Sequence, residues 1–276
     1  MAVAVDTLER LAYAALAEDV GEGDVTTEAT IDADASGEAA LVLKEPGVVC
    51  GLDVAEAVFR ALDVELRFER LVEDGTLVGS ATAVARVSGP LRAILTGERT
   101  ALNFLGRLSG IATLTRRYVD AVAGTGAAIL DTRKTTPGLR VLEKHAVAVG
   151  GGRNHRLGLD DGVLVKDNHL RAAGSIREVV DRLRAATHLP VEVECDTLEQ
   201  VSEALAAGAD ALLLDNMRVG ELREAVALAR GRARLEASGG MTLDNVRTVA
   251  ESGVDEISVG ALTHSARSLD VSLELA

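Results

Sequence analysis

Between Asp131 and Leu170 the chain carries seven lysines and arginines (Arg133, Lys134, Arg140, Lys144, Arg153, Arg156, Lys166) against five carboxylates. That is a local charge of +2 in a protein whose formal charge is −14. Three of the five histidines, His145, His155 and His169, fall in the same window, and the remaining lysine of the chain is Lys44. Arginine grips carboxylates through a planar fork and lysine supplies a compact point charge, so the segment is equipped for a ligand bearing several negative charges. Charge runs are more often solvated, ion-paired surface. Here Gly150-Gly151-Gly152 and the apolar stretches on either side favour an ordered site, with the GGGRNHR run read as a mobile anion-binding loop.

Such side chains work only if held at fixed spacing, and from Ile129 onward the pattern alternates strand, loop and helix. Strands are expected at 128–132, 162–166, 191–195, 211–215, 234–237 and 256–259. The stretches beginning at Val191 and Leu235 repeat one order of strand, helix, Ala/Ser-Gly-X-Asp and strand. Asp196-Thr197 and Thr242 are the expected helix N-caps, and Gly208 and Gly253 the expected helix ends. Parallel strands with crossover helices make either a β/α barrel or a doubly wound sheet. The strand ends favour the barrel: Thr132-Arg133-Lys134, Lys166-Asp167-Asn168, Glu194, Asp215-Asn216, Ser238-Gly239-Gly240 and Gly260 would all meet at one mouth.

Upstream, the pattern predicts a helix over 8–16, an ordered loop over 18–27, alternating segments at 39–44, 64–71 and 77–88, and a helix near 53–62. This half reads as an α+β unit. Two helices follow, from Pro90 to Arg107 and from about 111 to 123, with Glu98 and Arg99 left among apolar positions.

Composition narrows the classes. Apolar residues make up 47% of the 276, enough for a large core, while the acidic balance lacks the basic stripe that nucleic acid needs. With 2% aromatics and no tryptophan there are no stacking platforms. Cys50 and Cys195 lack metal or disulfide spacing and read as buried thiols. No leader pattern and no membrane-length apolar run is visible, so the expected location is the cytoplasm.

Arg133, Lys134, His155, Arg156 and Lys166 are thus candidate anion donors. Glu194 and Asp215, on neighbouring strands, offer hard oxygens for Mg²⁺ or for ribose hydroxyls. Ser238-Gly239-Gly240 and Gly260 expose backbone N–H groups suited to a phosphate. Lys166 has a second reading, a Schiff-base lysine as in aldolases, although its cationic neighbours also suit a protonated ammonium facing an anion.

At these residues the chain resembles the quinolinate phosphoribosyltransferase family, over EDVGEGDVTT from Glu18, GERTALNFLGRLSGIAT from Gly97, DTRKTTPGLRVLEKHAVAVGGGRNHRLGLDDGVLVKDNH from Asp131, VEVECDT, LLLDNM and LEASGGM. The resemblance implies an N-terminal α+β sandwich-like domain (1–108, with 266–276 packing back on it). It also implies an open, incomplete parallel α/β barrel (109–265), the type II phosphoribosyltransferase architecture. It implies decarboxylating transfer of phosphoribosyl from phosphoribosyl pyrophosphate to quinolinate, in the synthesis of NAD. Arg133, His155, Arg156 and Lys166 would hold the two carboxylates, with Thr132 beside them and Arg99 reaching in from the neighbouring subunit of a dimer. Lys134 would contact phosphoribosyl pyrophosphate, Glu194 and Asp215 its ribose hydroxyls and Mg²⁺, and Ser238, Gly239, Gly240 and Gly260 its 5-phosphate. The rivals are a related enzyme on the same scaffold, an aldolase, and a non-enzymatic phosphate-binding regulator.

Overall fold

The computed structural model describes residues 3–276, which form two compact units. The first comprises 3–116, 141–151 and 266–276, and the second 117–140 and 152–265. The first unit thus extends past the expected boundary at 108 and also takes in 141–151.

The first unit opens with helices α1 (Val5–Val20) and α2 (Val25–Thr30), strands β1 (Ser36–Leu43) and β2 (Gly47–Val48), and helix α3 (Leu52–Leu62). Strands β3 (Arg67–Arg70), β4 (Leu77–Val78) and β5 (Thr82–Pro90) lead into the long helix α4 (Leu91–Ala121). Where the sequence predicts a loop over 18–27, residues 18–20 end α1, 21–24 form a turn, and Asp24 accepts from Thr27 N–H (3.0 Å) to cap α2. Helix α3 buries Leu52, Val54, Ala55, Val58 and Phe59, and Asp74 caps it from a distance by accepting from Gly51 and Leu52 N–H.

Helix α4 is continuous where two helices are expected. Gly110, between the two expected helices, lies inside α4 because a backbone passes there: a β-carbon would lie 2.0 Å from the carbonyl oxygen of Arg267. The glycine admits a backbone, and packing outweighs its poor helix propensity.

The second unit carries β6 (Ala128–Leu130), β7 (Val163–Val165), β8 (Val191–Cys195), β9 (Ala211–Asp215), β10 (Arg234–Ser238) and β11 (Glu256–Ser258). All pair in parallel, in the order β6-β11-β10-β9-β8-β7. Its crossovers include α6 (Asp167–Ala173), α7 (Ile176–Ala186), α8 (Leu198–Ala207), α9 (Val219–Ala229) and α10 (Val246–Ala250), and α11 (Ala261–His264) follows β11; α5 (Arg140–Val149), between β6 and β7 in the chain, belongs almost wholly to the first unit. Both edge strands stay unpaired with one another, so the barrel is open. Strand interiors such as Leu212, Val193 and Ile257 are fully buried, as strands covered on both faces require.

Thr197 caps α8 and Gly208 ends it in the left-handed region, as expected. Thr242 does not cap a helix: its own N–H donates to Asn245 Oδ1 (2.9 Å), and α10 starts only at Val246. Strand β12 (Val271–Leu275) belongs to the first unit, where it pairs antiparallel with β1 in a sheet ordered β12-β1-β5-β3.

Candidate active site

Side chains at the ends of all six parallel strands line one cleft of about 440 Å³ in the second unit. Its walls hold Thr132, Arg133 and Lys134 after β6, Lys166 after β7, Glu194 on β8, Asp215 on β9, Ser238 on β10 and Ser258 on β11, with His155 and Arg156 from the loop before β7. Nine sequence-predicted site residues therefore share this cleft. Gly239, Gly240 and Gly260 stand beside it rather than on its wall. Gly239 and Gly240 follow Ser238 at φ +94° and +59°, and Gly260 lies next to the Lys134 stem. Arg99 is exposed on α4 in the first unit and does not line the cleft.

The GGGRNHR run is anchored. Arg153 N–H donates to the Ile129 carbonyl (2.8 Å), and Asp131 N–H donates to the Arg153 carbonyl (3.2 Å), which adds a parallel rung beside β6. The fully buried Asp131 carboxylate accepts from Asn154 Nδ2 (2.6 Å) and His155 N–H (2.9 Å). Beyond it, Asp161 accepts from Leu157 and Gly158 N–H, and Arg140 donates to Thr135 Oγ1 and the Leu157 carbonyl.

Electrostatically the cleft is a held-apart cluster of cations. Arg133 Nε is buried without a hydrogen-bond partner. Burial, and then the Arg133 charge, lower the pKa of Arg156, whose guanidinium donates to the Gly162 carbonyl (2.9 Å). Two crowded guanidinium groups and an unmet buried N–H are relieved by an incoming dianion, because a charge-assisted bond replaces an orphaned donor. Lys166 pairs with Glu194, and its backbone N–H is fixed by His169 Nδ1 (2.9 Å). Its side chain is 46% exposed and ion-paired, whereas a Schiff-base lysine needs a desolvated pocket.

Asp215 accepts from Asn216 Nδ2 (2.6 Å), and Asn216 N–H donates to the Ser238 carbonyl (2.9 Å), tying the ends of β9 and β10 together. Glu194 and Asp215 are half-buried oxygen donors on adjacent strands, a set that fits a hard divalent ion. Both cysteines are buried and free, with Cys195 pushed up to about 12 by burial, so neither is poised as a nucleophile.

Sequence reasoning missed Glu192, Glu236 and Ser258. The signal was available: in VEVEC and LEAS, period-two alternation puts Glu192 on the face of Glu194 and Glu236 on the face of Ser238. Burial, and next the neighbouring Glu192, raise Glu236 to about 7. A carboxyl whose folded pKa exceeds its ordinary 4.5 favours folding fully below that value, and the advantage is lost as pH rises through about 7. Thermal melts are expected to show stability falling between pH 5 and pH 8, and Glu236→Gln should remove on the order of 2 kcal/mol of that slope. Parallel curves for the two proteins would contradict this assignment.

Residues 24–109 match the N-terminal domain of quinolinate phosphoribosyl transferase, and residues 111–274 match its C-terminal domain. The chain belongs to the quinolinate phosphoribosyl transferase family. A probable nicotinate-nucleotide pyrophosphorylase (carboxylating) of Synechocystis is 47% identical over 265 residues, covering 94% of this chain and 90% of that protein. The nicotinate-nucleotide pyrophosphorylase (carboxylating) of Mycobacterium leprae is 47% identical, covering 98% and 96%. Among solved structures, the nicotinate-nucleotide pyrophosphorylase of Francisella tularensis superposes with a TM-score of 0.96 at 39% identity, over 100% of this chain and 98% of that one. Among the described residues no helix is long and apolar enough to cross a membrane.

Proposed function

We propose that this family member transfers the phosphoribosyl group of phosphoribosyl pyrophosphate to the ring nitrogen of quinolinate and releases the 2-carboxyl as CO₂, giving nicotinate mononucleotide and pyrophosphate. The observation that carries the reading is the convergence of Arg133, Lys134, Arg156 and Lys166 on one cleft that also holds a buried, unpartnered guanidinium N–H. A pyridine with two adjacent carboxylates meets that need, whereas a monocarboxylate leaves part of the cation set unpaired. The relatives' names, pyrophosphorylases marked carboxylating, point the same way.

In this reading Arg133 and Arg156 clamp the carboxylates, with Lys166 beside them, and so fix the ring plane and aim its nitrogen at C1 of the ribosyl group. Positioning lowers the barrier by removing the entropy of encounter, and the cations stabilise charge as pyrophosphate departs from an oxocarbenium-like centre. Once alkylated, the cationic ring stabilises the electron pair left on C2 as CO₂ leaves, and a proton from solvent then takes that pair to give nicotinate mononucleotide. Lys134 sits beside Gly260, and with Ser238 and the Gly239-Gly240 amides it addresses the phosphoribosyl end. Glu194 and Asp215 would hold ribose hydroxyls and Mg²⁺, which when bound neutralises pyrophosphate charge.

The test is an assay of the purified protein with phosphoribosyl pyrophosphate, Mg²⁺ and either quinolinate or nicotinate. Product from quinolinate alone is expected, and equal turnover of nicotinate would overturn the dicarboxylate reading. The enzyme is further proposed to be a cytoplasmic homodimer in which the exposed Arg99 serves the other subunit's cleft. Inactive Arg99→Ala and Lys134→Ala proteins, mixed under subunit exchange, should then recover about a quarter of wild-type activity, because half the dimers are mixed and each holds one intact cleft. No recovery in a mixture shown to exchange subunits would rule the shared site out.

A further inference from the structure

His155 lines the cleft, yet both of its ring nitrogens are engaged on the protein side. Nδ1 accepts the backbone N–H of Arg156 (2.7 Å), and Nε2 faces Glu192 Oε2 at 3.1 Å and Glu236 Oε2 at 3.5 Å. A nitrogen that accepts from an amide is unprotonated, so the proton lies on Nε2 and is donated to Glu192. The same assignment removes a tempting alternative. His155, Glu192 and Glu236 are clustered closely enough to hold a metal ion, but an Nε2 that carries hydrogen has no lone pair to give one.

Glu192 and Glu236 are 5% and 1% exposed. They sit on β8 and β10 among interior strand positions; Glu236 lines the cleft, and Glu192 lies behind His155. Burying two carboxylates is costly and adds nothing to a core that apolar side chains would fill as well. Their geometry gives them a different task. The path runs from the Glu192 carboxylate to Nε2, through the ring to Nδ1, and on to the N–H of Arg156. The backbone on the other side of the ring is fixed by Asp131, which accepts the N–H of His155. Arg156 is thus anchored at the start of its own side chain while its guanidinium is held by the Gly162 carbonyl.

We propose that Glu192 is a positioning residue which acts through His155 on Arg156, so that the strand that carries Glu194 also sets the clamp for the substrate's carboxylate. The consequence rests on Arg156 being that clamp. His155 then serves as a strut, not as a direct donor to the ligand, and Glu236 packs behind it with Oε2 3.5 Å from Nε2.

The experiment compares Glu192→Met, an apolar side chain of similar size, with Glu192→Gln, whose carbonyl oxygen still accepts from Nε2. Glu192→Met is expected to raise KM for quinolinate about tenfold and to leave KM for phosphoribosyl pyrophosphate within about twofold, with Glu192→Gln restoring most of the loss. In an Arg156→Ala background, Glu192→Met should add less than about twofold, because both changes break one chain of contacts. Additive losses, or a Gln variant as impaired as the Met variant, overturn the proposal. If Glu192→Met does not fold, His155→Ala alone and combined with Arg156→Ala closes the same cycle, and additivity there would make His155 a direct ligand contact. The ¹⁵N resonances of the His155 ring, read in wild type without substrate, give an answer independent of the reaction. An unprotonated Nδ1 and a protonated Nε2 are expected, and the reverse tautomer or an imidazolium sinks the strut. Calorimetry with quinolinate separates the two readings: a wild type that shows the expected ring signature but binds no quinolinate refutes the proposed function, not the strut.

Discussion

Replacing Lys166 by alanine is expected to lower kcat with quinolinate by about two to three orders of magnitude, the cost of deleting one preorganised charged donor from a site where charge develops. The side chain lies at the end of an edge strand, paired with Glu194 and held at its backbone by His169. Its loss does two things at once. In the proposed reading it removes an ammonium from the wall that would meet the anions, and it leaves the Glu194 carboxylate without its counter-charge in the same cleft. Stability should hardly change, because a pair this exposed contributes under about 1 kcal/mol. Steady-state kinetics and a thermal melt on one preparation check both halves. Lys166→Arg is not a rescue, since a planar fork does not reproduce a point charge. A kcat within tenfold of wild type would remove Lys166 from the reacting centre.

The second large effect is at Gly239. A β-carbon there would lie 2.1 Å from Asn216 Oδ1 and 3.0 Å from Asn216 N, and the residue sits at φ +94°. Asn216 is itself left-handed at φ +54°, and its N–H donates to the Ser238 carbonyl, so the two strand ends cannot part without breaking that bond. Gly239→Ala is therefore expected to cost about 1–3 kcal/mol and to raise KM for phosphoribosyl pyrophosphate at least about tenfold. Gly240→Ala is the control. Nothing lies within 4 Å of its β-carbon site, and φ +59° is the left-handed well itself, so about 1 kcal/mol is expected with little change in KM. Equal effects at the two glycines would mean that crowding against Asn216 does not matter.

The second unit was the legible one. Strands covered on both faces write themselves as apolar runs, and caps such as Thr197 and Gly208 mark the helices between them. The cleft followed, because parallel strands bring their ends together whatever the loops do. What stayed hidden depended on distant neighbours. Gly110 looks like a break until the Arg267 carbonyl is seen against it, and Asp74 gives no local hint that it caps α3. Thr242 obeys the rule for a cap and loses the position to Asn245. Glu192 and Glu236 were visible by alternation but read as nothing, since a buried acid is meaningful only beside its partner, here a histidine with both nitrogens occupied.

The pairing of β12 with β1 sets an order of events during synthesis. Residues 36–43 leave the ribosome early, but the strand that completes their sheet edge, Val271–Leu275, is made after every strand of the barrel. Until then β1 presents an open edge of unpaired backbone groups, the kind of template that invites wrong partners. The first unit thus stays incomplete while the second is translated, and the early segment is exposed longest to holdase chaperones and to misassembly. Expression yield should accordingly respond more to changes in 271–275 than to changes of equal burial within a barrel helix.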